Sequence, residues 1–278
     1  MRTGDLVTRK SYNNDIIFRL TGIINDKAIL SALDYRLTAD STFEDLQHAN
    51  TRQAFDVEPI NEDIALPFRI FYKQRPFEKG YNSLSLPKIT SIRSSVKCGT
   101  VLHIDGDPYY VNLSLSQYRK ADIHAVGINA EESSQPEIIL DLLKTYKPNI
   151  LVITGHDSLK KGAPHSSNIN DYINSKYYVE SIKKAREFNP NFDELVIIAG
   201  GCKSFYEELM TAGANFASSP DRVLINITDP VNVACKFAST SVKQYLDIDT
   251  IAKEVLSSPG AIGGIETRGQ CRRVKPPY

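Results

Sequence analysis

Cys202 and His156 are the residues of this 278-residue sequence whose types and settings could together make a nucleophile. Each follows an apolar run that reads as a buried strand. Ile150-Leu151-Val152-Ile153 leads into Thr154-Gly155-His156-Asp157, and Leu195-Val196-Ile197-Ile198-Ala199 leads into Gly200-Gly201-Cys202. In a parallel α/β sheet the reactive crevice opens at the carboxyl ends of the strands. Neighbouring strands lie ~4.8 Å apart, so side chains leaving adjacent ends can meet. A thiol within reach of an imidazole can form the thiolate–imidazolium pair that attacks a carbonyl. A helix starting after Cys202 would lower the thiol pKa further through its positive amino end. Gly200 and Gly201 leave room for a substrate backbone beside the sulfur. The plain alternative is that Cys202 is a small buried hydrophobe.

Chain order narrows the chemistry. The histidines are His48, His103, His124, His156 and His165, and none follows Cys202. That order disfavours the α/β-hydrolase and glutamine-amidotransferase arrangements, in which histidine comes after the nucleophile. Gly201-Cys202-Lys203-Ser204 also lacks the second glycine of a nucleophile elbow. His103 and His124 fall within strand-like runs and read as core or sheet-face residues. His48 reads as exposed. His165, in the polar loop after His156, is the alternative base.

The elements that must position this pair alternate along residues 96–278. Strands are expected at 100–104, 123–128, 150–153, 195–199 and 223–226. Helices are expected from 108 to about 120, from Pro136 through Tyr146, over 175–188, 205–212, 231–238 and 248–256. Continuous apolar strands alternating with helices predict a mostly parallel sheet with helices on both faces. Asp105 and Asp107 follow the first strand. Before this part, short strands at 5–10, 16–20 and 28–33, with turn chemistry at Asn13-Asn14-Asp15 and Asn25-Asp26-Lys27, suggest a small SH3-like β-barrel over residues 1–37. Residues 38–95, punctuated by Pro59, Pro67, Pro76 and Pro87, read as a loop-rich connection with a few extended pieces, completing or linking the N-terminal part.

Composition restricts partners. Lys plus Arg and Asp plus Glu both total 33, so no global field draws nucleic acid or an acidic membrane. No apolar run reaches the ~18–20 residues that span a bilayer. Met1-Arg2-Thr3-Gly4-Asp5 enters a strand without an apolar signal region, which predicts a cytoplasmic protein. Cys98, Cys202, Cys235 and Cys271 are widely spaced, without a C-x-x-C pair, and are expected as reduced thiols rather than disulfides or zinc ligands. No Walker A or G-x-G-x-x-G string supports nucleotide binding, and no metal or organic cofactor is expected.

A strand ending in Thr154-Gly155-His156, then a helix, then a strand ending in Ala199-Gly200-Gly201-Cys202, resembles the caspase-like cysteine peptidases. Those families usually place glycine after the histidine, where this chain has Asp157. Longer strings resemble the YabG family of sporulation-specific proteases of endospore-forming bacteria. They are Gly4-Asp5-Leu6-Val7-Thr8-Arg9-Lys10-Ser11-Tyr12, Val101-Leu102-His103-Ile104-Asp105-Gly106-Asp107, Leu151 through Asp157, Asn215-Phe216-Ala217-Ser218-Ser219-Pro220 and Gly263 through Gly269. The resemblance implies a caspase-like fold and a peptidase acting in the mother cell, with the spore coat as an associated location. It implies spore coat and germination proteins as substrates and cleavage next to arginine. It implies His156 and Cys202 as the dyad, with the amides of Asp157 and Cys202 as the oxyanion hole. An arginine pocket needs a carboxylate to receive the guanidinium. Asp105 or Asp107 is expected to supply it, with Asp229 in reserve. The alternative for Asp107-Pro108 is a helix cap, and for Asp105 a turn residue. Self-processing in the arginine-containing tail or the Pro-rich stretch is a further expectation.

Two other readings compete. Asp105-Gly106-Asp107 after a strand suggests a magnesium-dependent phosphotransferase, although the threonine that usually follows is missing. A spore coat scaffold or adaptor, with the barrel as binding module, would need no catalytic Cys202.

Overall fold

The computed structural model describes residues 1–49, 84–85, 96–160, 163 and 167–274. His165 and the proline-punctuated residues of the connection lie outside these. So does most of the stretch expected as a linker.

The first strands are β1 (Leu6–Arg9), β2 (Phe18–Ile24), β3 (Lys27–Ala32), β4 (Thr38–Ser41) and β5 (Leu46–His48). They form an antiparallel sheet in the order β4-β3-β2-β1-β5. Asn25 and Asp26 adopt positive φ, 48° and 60°, and close the β2–β3 hairpin directly between Ile24 and Lys27. This is the two-residue turn whose twist suits antiparallel strands. Val7, Phe18, Leu20, Ala28, Leu30, Ala32 and Leu46 form the core of this part. The expected SH3-like barrel is not what forms. Among the described residues β4 and β5 are the two edges of a sheet that does not close, joined by a single turn at Phe43–Asp45. The sheet also takes two strands, β4 and β5, from the stretch expected as connection.

The second part contains β6 (Leu84–Ser85), β7 (Val96–Lys97), β8 (Val101–Asp105), α1 (Pro108–Lys120), β9 (Ala125–Asn129), α2 (Gln135–Tyr146) and β10 (Ile150–Thr154). It continues with α3 (Ser175–Phe188), β11 (Val196–Ala199), α4 (Tyr206–Thr211), β12 (Phe216–Ser218), α5 (Asp229–Ser239), β13 (Tyr245–Leu246) and α6 (Ile248–Glu254). It ends with β14 (Ile262–Gly264), β15 (Thr267–Arg268) and β16 (Arg272–Arg273). The large sheet has the order β14-β12-β11-β10-β8-β9-β6. Strands β9, β8, β10, β11 and β12 run parallel, while β6 and β14 pair antiparallel at the edges.

Both faces are covered, as expected. Leu102, Ile104, Leu151, Ile153 and Ile197 pack with residues of α2, α3 and α4. Val101, Ile150, Val152, Val196 and Ile198 pack with residues of α1 and α5 on the other face. This alternation follows from the period of two along a strand. Because β8 lies between β9 and β10, the chain reverses its direction of winding there, and a crevice opens at the carboxyl ends of β8 and β10.

Two expectations are corrected. The fifth parallel strand is Phe216–Ser218, not 223–226. Residues 223–226 form no sheet strand and contribute one bridge, between Asn226 and Tyr35. His124 is exposed and precedes β9 rather than lying within it. Its carbonyl accepts from the Val101 amide at 3.0 Å. His103 is fully buried, as expected of a core residue.

Candidate active site

Strands β10 and β11 are direct neighbours, paired Ile150↔Val196 through Ile153↔Ala199. The segments carrying His156 and Cys202 therefore leave adjacent strand ends. Gly200, at φ 107°, turns the chain sharply out of β11, a conformation that favours glycine. A Cβ at Gly201 would lie 3.0 Å from the Asp157 amide nitrogen and 3.2 Å from the His156 carbonyl carbon. The two loops thus touch backbone to backbone, and only glycine permits it.

The thiol itself is sealed. Cys202 is 0% exposed. Its sulfur accepts from the Ile225 amide at 3.2 Å. Burial pushes the thiol up to about 11, against the pull of Ile225 and Arg36 backbone hydrogen bonds. The expected help from a helix amino end is missing, because α4 begins only at Tyr206 and Lys203 interposes a left-handed turn. Among the described residues, Cys202 and His156 share no hydrogen bond.

His156 is held by different partners. Its amide donates to Glu132 Oε1 at 2.7 Å, and its Nδ1 lies 3.8 Å from the same oxygen. Nε2 lies 3.5 Å from Ser31 Oγ and 3.9 Å from Asp107 Oδ2. Its ring packs on Tyr110 with centroids 5.2 Å apart. The His156 carbonyl accepts from Asn174 Nδ2 at 2.8 Å and Tyr178 Oη at 3.1 Å. Burial alone would lower its pKa. The hydrogen bond to Glu132 and the charges of Asp107, Glu132 and Asp105 outweigh burial and raise it. Glu132 is absent from the sequence reading. An acidic pair, Glu131-Glu132, just beyond β9 was the available signal, since that is also a carboxyl strand end. Side chains at Gly106 and Gly155 would collide with the Glu132 carboxylate.

Asp157 acts through its side chain as a clamp. Oδ1 accepts from the Ser158 and Asn174 amides at 2.9 and 2.8 Å. Oδ2 accepts from Ser175 Oγ at 2.5 Å and Ser204 Oγ at 2.9 Å. Ser175 Oγ accepts in turn from the Phe205 amide, and Ser204 Oγ from the Gly201 amide. One carboxylate so ties the histidine loop, the start of α3 and the cysteine loop together. Burial pushes it up to about 6 despite these donors.

The remaining acids separate. Asp107 caps α1, accepting from the Tyr109 amide at 2.8 Å, and its other oxygen accepts from Ser31 Oγ at 3.0 Å. Asp229 lies at the start of α5 and accepts from the Ser257 amide and hydroxyl at 2.8 and 2.7 Å. Asp105 is fully buried, accepts from Thr154 Oγ1 at 2.7 Å, and forms an ion pair with the equally buried Arg36. Burial opposes ionisation of Asp105, but Arg36 and His103 overcome it and hold the carboxyl well below the usual carboxylate range. Thr154 gives its proton to Asp105, so it accepts from His103 Nε2–H at 3.1 Å. Burial lowers the His103 pKa, and in the neutral ring Nδ1 accepts from the Tyr118 hydroxyl at 3.0 Å.

The four cysteines are free thiols. No cluster of metal-binding side chains occurs among the described residues. No helix among them is long and apolar enough to cross a membrane.

The family profile described as YabG peptidase U57 matches residues 2–276. The sporulation-specific protease YabG of Bacillus subtilis (strain 168) is 38% identical over 288 residues, covering 97% of this chain and 96% of that protein. No solved structure matches. The match runs through both sheets and every loop of the crevice, and this chain therefore belongs to the YabG family of sporulation proteases, peptidase family U57.

Proposed function

We propose that the chain is a caspase-like cysteine endopeptidase that cleaves next to arginine. Cys202 is the nucleophile and His156 moves the proton. The observation that carries this reading is the contact of Gly201 with the His156–Asp157 backbone, which holds the two loops at one crevice. In the reaction Cys202 Sγ attacks the scissile carbonyl while its proton passes to His156. His156 then protonates the leaving amine, and water hydrolyses the thioester. The amides of Asp157 and Cys202, which donate to no other group among the described residues, are the proposed oxyanion donors. Asp105 supports arginine recognition because it already holds a guanidinium in a buried pocket. Spore coat and germination proteins are the proposed substrates, met in the mother-cell cytoplasm and at the coat.

Hydrolysis of an arginyl fluorogenic peptide by wild type and by Cys202→Ala tests the reading. Wild type is expected to cleave, to lose activity to iodoacetamide and to ignore EDTA. Cys202→Ala is expected to be at least ~10³-fold slower. Equal rates for the two proteins would dispose of the thiol mechanism. No peptide hydrolysis, together with EDTA-sensitive release of phosphate from a phosphorylated substrate, would favour the phosphotransferase-like use of Asp105 and Asp107.

A further inference from the structure

The crevice is already occupied by another part of the same chain. Residues 33–37 form the tip that joins β3 to β4 in the N-terminal sheet. Within this tip Tyr35 lies opposite Asn226 as an antiparallel bridge. The Arg36 amide donates to the Ile225 carbonyl, and the Ile227 amide donates to the Asp34 carbonyl, both at 3.1 Å. An extended peptide lies on a strand edge in this way, with backbone bonds giving affinity and alternate side chains entering pockets. Arg36 is the side chain that enters. Its guanidinium pairs with Asp105, donates to the Ile227 carbonyl at 3.2 Å, and stands over the Tyr110 ring at 5.3 Å from its centroid.

The same tip reaches both members of the dyad. Ile225, which receives the Arg36 amide, gives its own amide to the Cys202 sulfur. Ser31, at the end of β3, lies between His156 and Asp107. Tyr110 Oη shares its proton between the Ala32 and Tyr35 carbonyls at 2.8 and 2.9 Å. Arg36 Nε is fully buried and has no hydrogen-bond partner, a state it shares with Arg9 Nε.

We propose that Asp34-Tyr35-Arg36 is an internal substrate mimic. It assigns Ile225–Ile227 as the edge that pairs with a substrate backbone, Asp105 as the acid that receives the substrate arginine, and the β3–β4 tip as a plug that must withdraw before a substrate enters. The inference rests on the cysteine-peptidase reading above, and extends it to the docking edge and to self-restraint.

The test measures arginyl-peptide hydrolysis by Arg36→Gln, and by Tyr35→Cys/Asn226→Cys in its oxidised and reduced forms. Tyr35 and Asn226 form the non-hydrogen-bonded kind of antiparallel pair, whose short Cα separation suits a disulfide. Arg36→Gln is expected to raise kcat/KM at least tenfold over wild type. The oxidised double variant is expected to be inactive and to regain activity on reduction, while wild type under the same oxidation and reduction keeps its rate. Equal activity of the oxidised and reduced double variant would overturn the plug, even if Arg36→Gln folds poorly. If Arg36→Gln is no faster than wild type and both require Cys202, the plug fails and the peptidase reading survives. If Arg36→Gln is faster but Cys202→Ala on that background changes nothing, the plug stands and the thiol mechanism fails.

Discussion

Arg36, fully buried, and Arg186, half-buried, lie at opposite strand ends of the large sheet and are treated differently. Arg186, at the amino ends, donates through Nε to the Gly213 carbonyl at 2.7 Å, through Nη1 to the Leu195 carbonyl at 2.8 Å, and through Nη2 to Asn215 Oδ1 at 2.6 Å. Asn215 Oδ1 also accepts from the Ile197 amide, which joins α3 to the beginnings of β11 and β12. No carboxylate is involved, and burial lowers Arg186 to about 10, still charged at neutral pH. Arg36, at the carboxyl ends, depends on one carboxylate and one carbonyl and leaves a donor idle. Arg186 is held by backbone carbonyls and Asn215 Oδ1, as suits a brace. In the proposed mimic, Arg36 uses what the pocket offers a ligand.

That contrast can be broken or sharpened by experiment. Asp105→Asn strands the Arg36 charge in the interior and is expected to cost about 3–5 kcal/mol of folding stability. Adding Arg36→Met should return much of that loss, because it removes the orphaned charge. Denaturant unfolding of both single variants and the double variant measures the coupling; simple additivity would mean that the pair is not the local anchor described here.

Asp157 gives the next largest effect. Its folded-state pKa is pushed from 3.8 to about 6 by burial. The native state then binds a proton more readily than the unfolded chain between those values, so stability falls as pH rises through them. The total is up to about 3 kcal/mol. Asp157→Asn should flatten this part of the stability curve, whatever its absolute stability. An unchanged slope between pH 4 and 6 would mean that Asp157 is not the titrating group.

Glu132→Gln is the smallest change. It keeps a hydrogen-bond acceptor for the His156 amide and removes the negative charge. The His156 titration, followed by NMR, should move to lower pH, and kcat should fall about tenfold with little effect on KM. A fall in stability without movement of the titration would make Glu132 a purely structural support.

The parallel body was legible because its signals are local. Leu102, Ile104, Leu151, Ile153 and Ile197 sit in unbroken apolar runs, and the helix from Ser175 to Phe188 carries its apolar face at regular spacing. Phe216–Ser218 was passed over because it is short and two of its three residues are small, whereas Val223-Leu224-Ile225 has the composition of a strand. Tertiary pairing decided between them. The barrel failed for a related reason: local strand signals do not reveal whether the two edges meet. Residue types and strand ends singled out His156, Cys202 and Asp105 as candidates. They did not reveal that Cys202 is sealed, because its sulfur meets the backbone of Arg36 and Ile225, far away in sequence. Nor could local spacing join Arg36 to Asp105, which are separated by 69 positions. Glu132 was missed because its role depends on the space left by Gly106 and Gly155.

Strands β7 and β16 pair antiparallel, Lys97 with Arg272 and Val96 with Arg273. The two ends of the α/β body therefore meet, and the N-terminal sheet, which precedes β7 in the chain, packs on this body where Leu33 meets Tyr109, Tyr110 and Ile227. Because the tip belongs to the same chain, it meets the crevice without the entropy loss that a separate peptide would incur. An incoming polypeptide would have to compete with a neighbour that never diffuses away, so crowded, repetitive targets would have the advantage over dilute ones.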